Sequence, residues 1–127
     1  MSEELKNGKY MEEFGTVRWY LNGLLHREDG PAFDSGDVKE WYLNGKRHRE
    51  DGPAIEEING YKEWYLNDEL HREDGPAVEW PNGTKYWYLF DRSVTEEEFN
   101  HWLAKKQLNE RLTEHLEVKP TGKRVKI

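Results

Sequence analysis

The stretch "WYLNGKRHREDGPAI", residues 41–55, occurs with few changes at two other places in the chain. The other copies are "WYLNGLLHREDGPAF" at residues 19–33 and "WYLNDELHREDGPAV" at residues 64–78. A fourth "WYL" begins at Trp87, so the tryptophans recur every 22 or 23 residues. A fixed period of this length indicates stacked structural repeats, each of which buries its apolar face against its neighbours.

Each copy begins with a pattern that is typical of a β-hairpin. The run "VKEWYL", residues 38–43, is rich in strand-forming residues and ends in Asn44-Gly45, a pair that favours a tight hairpin turn. The proline that ends "HREDGP" has no N–H to donate, so it interrupts a strand ladder. A second short apolar run follows in every copy. Each repeat is therefore predicted to hold about two strands joined by turns.

The segment Tyr42-Leu-Asn-Gly45-Lys-Arg-His48 resembles the MORN-repeat pattern of an aromatic residue, two residues, Gly, two residues and His. The chain is most similar to the degenerate MORN variant of bacterial and bacteriophage proteins. It departs from that pattern where Asp68 replaces the Gly and where Arg follows the His. The resemblance implies stacked β-hairpins in one elongated, twisted antiparallel sheet. It also implies a scaffold or a protein-recognition function, with a host protein as partner if the chain is phage-encoded.

Charge and composition narrow the classes of partner. The chain has 127 residues, a net charge of −7 and no Cys, so no disulfide framework is possible. Residues 1–94 carry 12 basic and 20 acidic side chains, and such an acidic body disfavours duplex nucleic acid. No apolar run is long enough for a signal peptide or a membrane span. We expect a cytoplasmic protein (host cytoplasm if phage-encoded) whose partner is another protein, not a membrane.

Alternation along the first strand of each repeat separates two faces. Trp and Leu share one face, which we expect to form the core. Tyrosines with charged neighbours share the other, which we expect to be an open protein-binding surface. The candidate binding residues are Tyr20, Tyr42, Tyr65, Tyr88, Arg18, Glu40 and Glu63.

The three "HREDGP" segments, here called corners 1, 2 and 3, occupy residues 26–31, 48–53 and 71–76. Histidine and carboxylate side chains can bind metals, but equivalent positions in successive repeats are too far apart to share one ion. A catalytic site needs one group of residues that differs from its surroundings, and three equal copies do not provide it. We expect structural turns in which Gly supplies unusual backbone angles and Asp bonds to turn amides. A small-ligand or metal site remains the alternative, at His26, His48, His71, Glu28, Glu50 and Glu73. We predict no catalytic residue, no cofactor and no metal.

The fourth repeat gives way to a helix. Thr95 and Glu98 have capping-box spacing, and an uneven apolar pattern continues to Leu116. The sequence therefore predicts a mainly β domain: hairpin repeats over residues 1–94 (about 3.5 units), a helix over 95–116 in the same domain, and a flexible basic tail over 117–127. The helix is expected to pack on the sheet or cap it, and its length favours packing along most of the Trp/Leu face.

Overall fold

The computed structural model describes residues 4–118, which are mainly β. In this part of the chain, fourteen short strands precede a helix, α1 (Glu96–Val118), and a 3₁₀ turn at Glu13–Gly15 joins the first two strands. The strands are β1 (Gly8–Met11), β2 (Val17–Leu21), β3 (Leu24–Leu25), β4 (Phe33–Asp34), β5 (Val38–Glu40), β6 (Tyr42–Leu43), β7 (Lys46–Arg47), β8 (Ile55–Glu57), β9 (Lys62–Glu63), β10 (Tyr65–Leu66), β11 (Glu69–Leu70), β12 (Val78–Glu79), β13 (Lys85–Leu89) and β14 (Arg92–Val94). The predicted fold class is confirmed.

Ten of these strands form one open antiparallel sheet in the order β1-β2-β4-β5-β8-β9-β12-β13-β14, with β3 paired to β2. The pairs β6–β7 and β10–β11 form two separate ladders. Backbone hydrogen bonds join successive hairpins: the Arg27 N–H donates to the Tyr42 carbonyl (3.0 Å) and the Gly45 N–H to the Leu25 carbonyl (2.8 Å). The hairpins therefore form a second row beside the main sheet, in which each hairpin is held by the next.

The hairpin turns follow the sequence prediction. Asn44 and Gly45 have φ of 50° and 80°, the left-handed pair that a two-residue type I′ turn requires. The third turn keeps this geometry with Asp68 at φ 69° in place of Gly. The Asp68 carboxylate accepts a hydrogen bond from Arg47 Nε (2.6 Å), and this bond lowers the pKa of Asp68. The side chain thus bonds to the preceding hairpin, which offsets the backbone strain that Gly avoids.

Strand pairing changes at the tryptophans. Trp41 separates β5 from β6, its N–H donates to the Ala54 carbonyl (2.8 Å), and its carbonyl accepts from the His48 N–H (3.0 Å). Residues before Trp41 pair with strands β4 and β8 of the main sheet, whereas residues after it pair within their own hairpin. Because the regular ladder is interrupted at this position, one alternation of faces does not extend through the whole strand.

The core differs from the one that alternation predicted. Among the described residues, those with no exposure are the alanines that follow Gly-Pro. Of the predicted Trp/Leu face, Leu89 is buried, the four repeat tryptophans are half-buried and Leu21 is 40% exposed. Tyr65, from the face expected to be open, is only 7% exposed. The expectation of a buried Trp/Leu face opposite an open Tyr face is therefore wrong, because most members of both rows are half-buried and each row has one buried member. The buried alanines are Ala32, Ala54 and Ala77.

Helix α1 begins with the predicted capping box. The Glu98 N–H donates to Thr95 Oγ1 (3.0 Å) and the Thr95 N–H donates to Glu98 Oε1 (2.9 Å). Phe99 is 3% exposed, and α1 contacts β13. The helix extends through Val118, so residues 117 and 118 do not begin the predicted tail. The rest of that tail, 119–127, lies outside the described residues.

The helix does not lie along most of the Trp/Leu face, as its length had suggested. Leu108, Leu112 and Leu116 are between 48% and 64% exposed. Leu108 follows Phe99 by nine residues, which is about two and a half turns, so it points away from the buried Phe99. Only the first half of α1 therefore presents an apolar face to the sheet, and the helix caps the last repeat.

Candidate functional site

Each corner is organised by its arginine. Arg49 lies over the Trp41 ring, with Cζ 3.8 Å from the ring centroid. Its Nε donates to Asp51 Oδ1 (3.0 Å) and its Nη1 donates to the Pro53 carbonyl (3.0 Å). Arg27 and Arg72 make the same contacts with Trp19 and Trp64 and with the aspartate and proline of their own corners. The guanidinium thus covers the tryptophan and closes the loop, a role that the sequence analysis did not assign.

The glycine of each corner provides space for this arginine. A Cβ atom built on Gly52 would lie 2.8 Å from Arg49 Cζ, and Gly30 and Gly75 show the same close approach to Arg27 and Arg72. None of these three glycines has a positive φ. The expectation that they supply an unusual backbone angle is therefore wrong. The carboxylates of Asp29, Asp51 and Asp74 accept hydrogen bonds from the arginine Nε of their own corners. At Asp29 the bond from Arg27 is the main cause that lowers the pKa.

The histidine of each corner joins one repeat to the next. His48 Nδ1 accepts a hydrogen bond from the backbone N–H of Asn67 (2.9 Å). Because a backbone N–H can only donate, Nδ1 carries no proton, and the proton of the neutral ring lies on Nε2. Nε2 is 3.2 Å from Glu50 Oε2, which accepts a hydrogen bond from the Nε2–H. The bond from the next hairpin recurs at His26 with Asn44 and at His71 with Phe90, each at 2.9 Å.

The same link exists at the N-terminal end without a histidine. Asn7 Oδ1 accepts from the Asn22 N–H (2.8 Å), and the neighbouring Gly23 N–H donates to the Lys6 carbonyl (2.8 Å). Asn7 therefore occupies the position of a corner histidine, with its amide oxygen in the place of Nδ1. Nothing in the repeat pattern pointed to Asn7, because the residues around it do not match a corner.

The alternative ligand residues lie close together only within each corner. The His–Glu distances are 3.4 Å for His26–Glu28, 3.2 Å for His48–Glu50 and 2.9 Å for His71–Glu73. Across residues 4–118, no group of three or more His, Cys, Asp or Glu residues is arranged to hold a metal ion. In each pair, the imidazole Nδ1 already accepts a hydrogen bond from a backbone N–H. The corners thus offer two-donor pairs, which is fewer donors than a zinc site uses.

The tyrosine row does not form an open surface. Tyr20, Tyr42 and Tyr88 are half-buried and Tyr65 is buried. The Tyr42 hydroxyl donates to Glu40 Oε1 (2.7 Å), and burial is the main cause that raises the pKa of Tyr42. Tyr65 accepts a hydrogen bond from Arg47 Nη1 (3.0 Å), and burial raises its pKa to about 12.

The charged neighbours of this row also have partners inside the molecule. Arg18 lies over the Phe33 ring, 4.9 Å from its centroid, and pairs with Glu12. Glu63 accepts a hydrogen bond from the Tyr61 hydroxyl. Together with the Glu40–Tyr42 bond, these contacts place all three predicted charged residues within the packing of the sheet.

Neighbouring corners enclose grooves. The groove between corners 1 and 2, called the open groove, includes Trp41 and Leu43 in its lining. The groove between corners 2 and 3, called the helix-lined groove, includes Trp64 and Leu66 and is bordered by α1 through Leu103 and Lys106. Lys106 Nζ lies 3.4 Å from Glu73 Oε1. The hydrogen bond from His71 and this lysine lower the pKa of Glu73. Lys106 was not among the predicted site residues.

The fold and the corners define an open array of β-hairpin repeats, linked by histidines and closed at one end by a helix. A scan against protein-family models, a search of curated proteins and a search of solved structures each found no match for this chain. Within residues 4–118, no helix has both the length and the apolar character needed to cross a membrane.

Proposed function

We propose that this chain is a non-enzymatic protein-binding module, and that it binds through its row of corners. The observation that carries the proposal is the exposure of the corner carboxylates. The side chains of Glu28 and Glu50 are each 82% exposed, and those of Asp29 and Asp51 are 85% and 87% exposed. Each nevertheless lies 2.8–3.4 Å from a nitrogen of the histidine or arginine of its own corner. Charged groups held at a constant spacing are preorganised for recognition, because little side-chain freedom is lost on binding.

The corners support this role better than the tyrosine row does. The hydroxyls of Tyr42 and Tyr65 and the carboxylate of Glu40 are already bonded within the sheet. A partner at that face would have to break these contacts. The similarity of the corners to one another supports a non-enzymatic role, since a catalytic site needs one constellation that differs from its surroundings. The resemblance to the MORN variant supports a scaffold, and a phage origin would make the chain a modulator or inhibitor of a host protein.

Site-specific photo-crosslinking in native host lysate tests this proposal. A photoreactive phenylalanine analogue replaces Glu50 in one protein and Tyr86, which is exposed on β13, in another. We expect a specific crosslinked protein from position 50 and none from position 86. The reverse result would assign the binding surface to the tyrosine side, and no specific crosslink from either position would contradict the proposed function.

A further inference from the structure

The open groove and the helix-lined groove are the same structure, one repeat apart. Both are lined by residues of two successive corners and by a tryptophan and a leucine from the segment between those corners. Trp41 and Leu43 of the open groove correspond to Trp64 and Leu66 of the helix-lined groove. The element that borders the helix-lined groove therefore indicates which kind of ligand the open groove can bind.

Helix α1 shows which chemistry fits beside a corner. Leu103 adds an apolar side chain to the lining that contains Trp64 and Leu66. One turn of the helix away, Lys106 forms the ion pair with Glu73. The Glu73 side chain beside this helix is 41% exposed, half the value of Glu28 and Glu50. A helix that carries a cation one turn from an apolar residue is thus already docked at corner 3.

The open groove is lined by the equivalent residues of the preceding repeat, and within residues 4–118 no helix contributes to its lining. Its lining contains four carboxylates, from Glu28, Asp29, Glu50 and Asp51, and two guanidiniums. Both guanidiniums lie over tryptophan rings and bond within their own corners. The charge presented to an incoming ligand is therefore mainly negative, and a cationic partner complements it.

The spacing of the corners defines the partner further. Successive corners are separated by two strand spacings, about 10 Å. Two residues seven apart on an α-helix are separated by about 10.5 Å along its axis and lie nearly on the same face. We propose that the open groove binds a basic amphipathic helix of a partner protein, which places Lys or Arg residues seven apart on Glu28 and Glu50. Its apolar residues pack against Leu43 and the part of Trp41 that lines the groove beside Arg49. This inference rests on the proposed function and specifies the partner class.

Fluorescence anisotropy with labelled synthetic peptides tests the inference on the full chain. The probe is an alanine-based helical peptide with two lysines seven residues apart and leucines between them on the same face. One control peptide has glutamates in place of the lysines, and another has the same composition with both lysines on opposite faces. We expect binding of the probe, weaker binding of the opposite-face peptide, and no binding of the glutamate peptide.

Two double variants locate the binding site. Glu28→Gln/Glu50→Gln should weaken probe binding about tenfold, which corresponds to about 1.4 kcal/mol. Glu4→Gln/Glu13→Gln removes the same charge from exposed positions outside the groove and should leave binding unchanged. Circular dichroism and melting curves would verify that both variants fold.

Four results would overturn the inference. They are no binding of the probe, binding that ignores the position of the lysines, unchanged affinity of the groove variant, and a dimer in sedimentation that Glu28→Gln/Glu50→Gln dissociates. The last result would assign the groove to a second copy of the chain. Crosslinks from position 50 combined with no peptide binding would retain the protein-binding function and reject only the basic helix as partner.

Discussion

Replacing His48 tests whether the corner histidines hold the repeats together. Its ring accepts the Asn67 N–H through Nδ1 at 2.9 Å, and its side chain is 11% exposed. His48→Ala removes the acceptor. His48→Asn keeps an acceptor, because the amide oxygen and Nδ1 are the same number of bonds from Cα. Asn7 already makes this bond to Asn22 at the equivalent position of the array.

The size of the effect follows from the contacts that each variant loses. A hydrogen bond contributes about 0.5–1.5 kcal/mol net, and a poorly solvated donor left without a partner costs about 1–3 kcal/mol. We therefore expect His48→Ala to lower the free energy of unfolding by about 2–3 kcal/mol, since it also removes a mostly buried ring. His48→Asn should recover about 1 kcal/mol of this loss.

Urea unfolding followed by tryptophan fluorescence measures these differences as shifts in midpoint at constant slope. Glu50→Gln is the control, because it leaves Nδ1 and the ring in place and still offers Nε2 an acceptor. Its effect should stay below about 0.5 kcal/mol, as is usual at exposed positions. Equal stability of His48→Ala and His48→Asn would refute the reasoning, since the Nδ1 bond would then contribute nothing to the link between repeats.

Three other outcomes follow from the packing. Gly52→Ala should destabilise the wild-type chain by about 1–3 kcal/mol, but clearly less in an Arg49→Ala background, as a double-mutant cycle of unfolding free energies would reveal. Burial raises the pKa of Tyr65 to about 12, so the stability that this tyrosine contributes should be complete below its unfolded pKa of about 10 and decline as the pH rises towards 12. The difference in unfolding free energy between wild type and Tyr65→Phe, measured as a function of pH, tests this. Phe99→Ala should lower the free energy of unfolding by about 3–5 kcal/mol, because Phe99 is buried. Truncation after Gln107 should leave the melting temperature nearly unchanged; a large fall in that temperature would contradict the assignment of the helix as an end cap.

Local features of the sequence were enough to locate the repeats, the turns and the start of the helix. Asn44-Gly45 requires a left-handed pair of residues wherever it occurs, and Thr95 with Glu98 forms a capping box within one helical turn. These features depend on the conformation of a few adjacent residues. A single sequence therefore carries them in full, and the hairpin pattern of the fold was predictable.

Only the tertiary structure determines which side chains are buried, which form hydrogen bonds between distant residues and which stay exposed to solvent. Arg49 lies on Trp41, eight residues away, and His48 bonds to Asn67, nineteen residues away in the next repeat. The burial of Tyr65, and the fact that only the first half of α1 packs against the sheet, likewise depend on the position of each hairpin relative to the next. The repeat pattern specifies that hairpins stack but not their offset, because the offset is fixed by the sum of many inter-repeat contacts. For the same reason, the exposed corner carboxylates of the candidate site became recognisable only in the folded array.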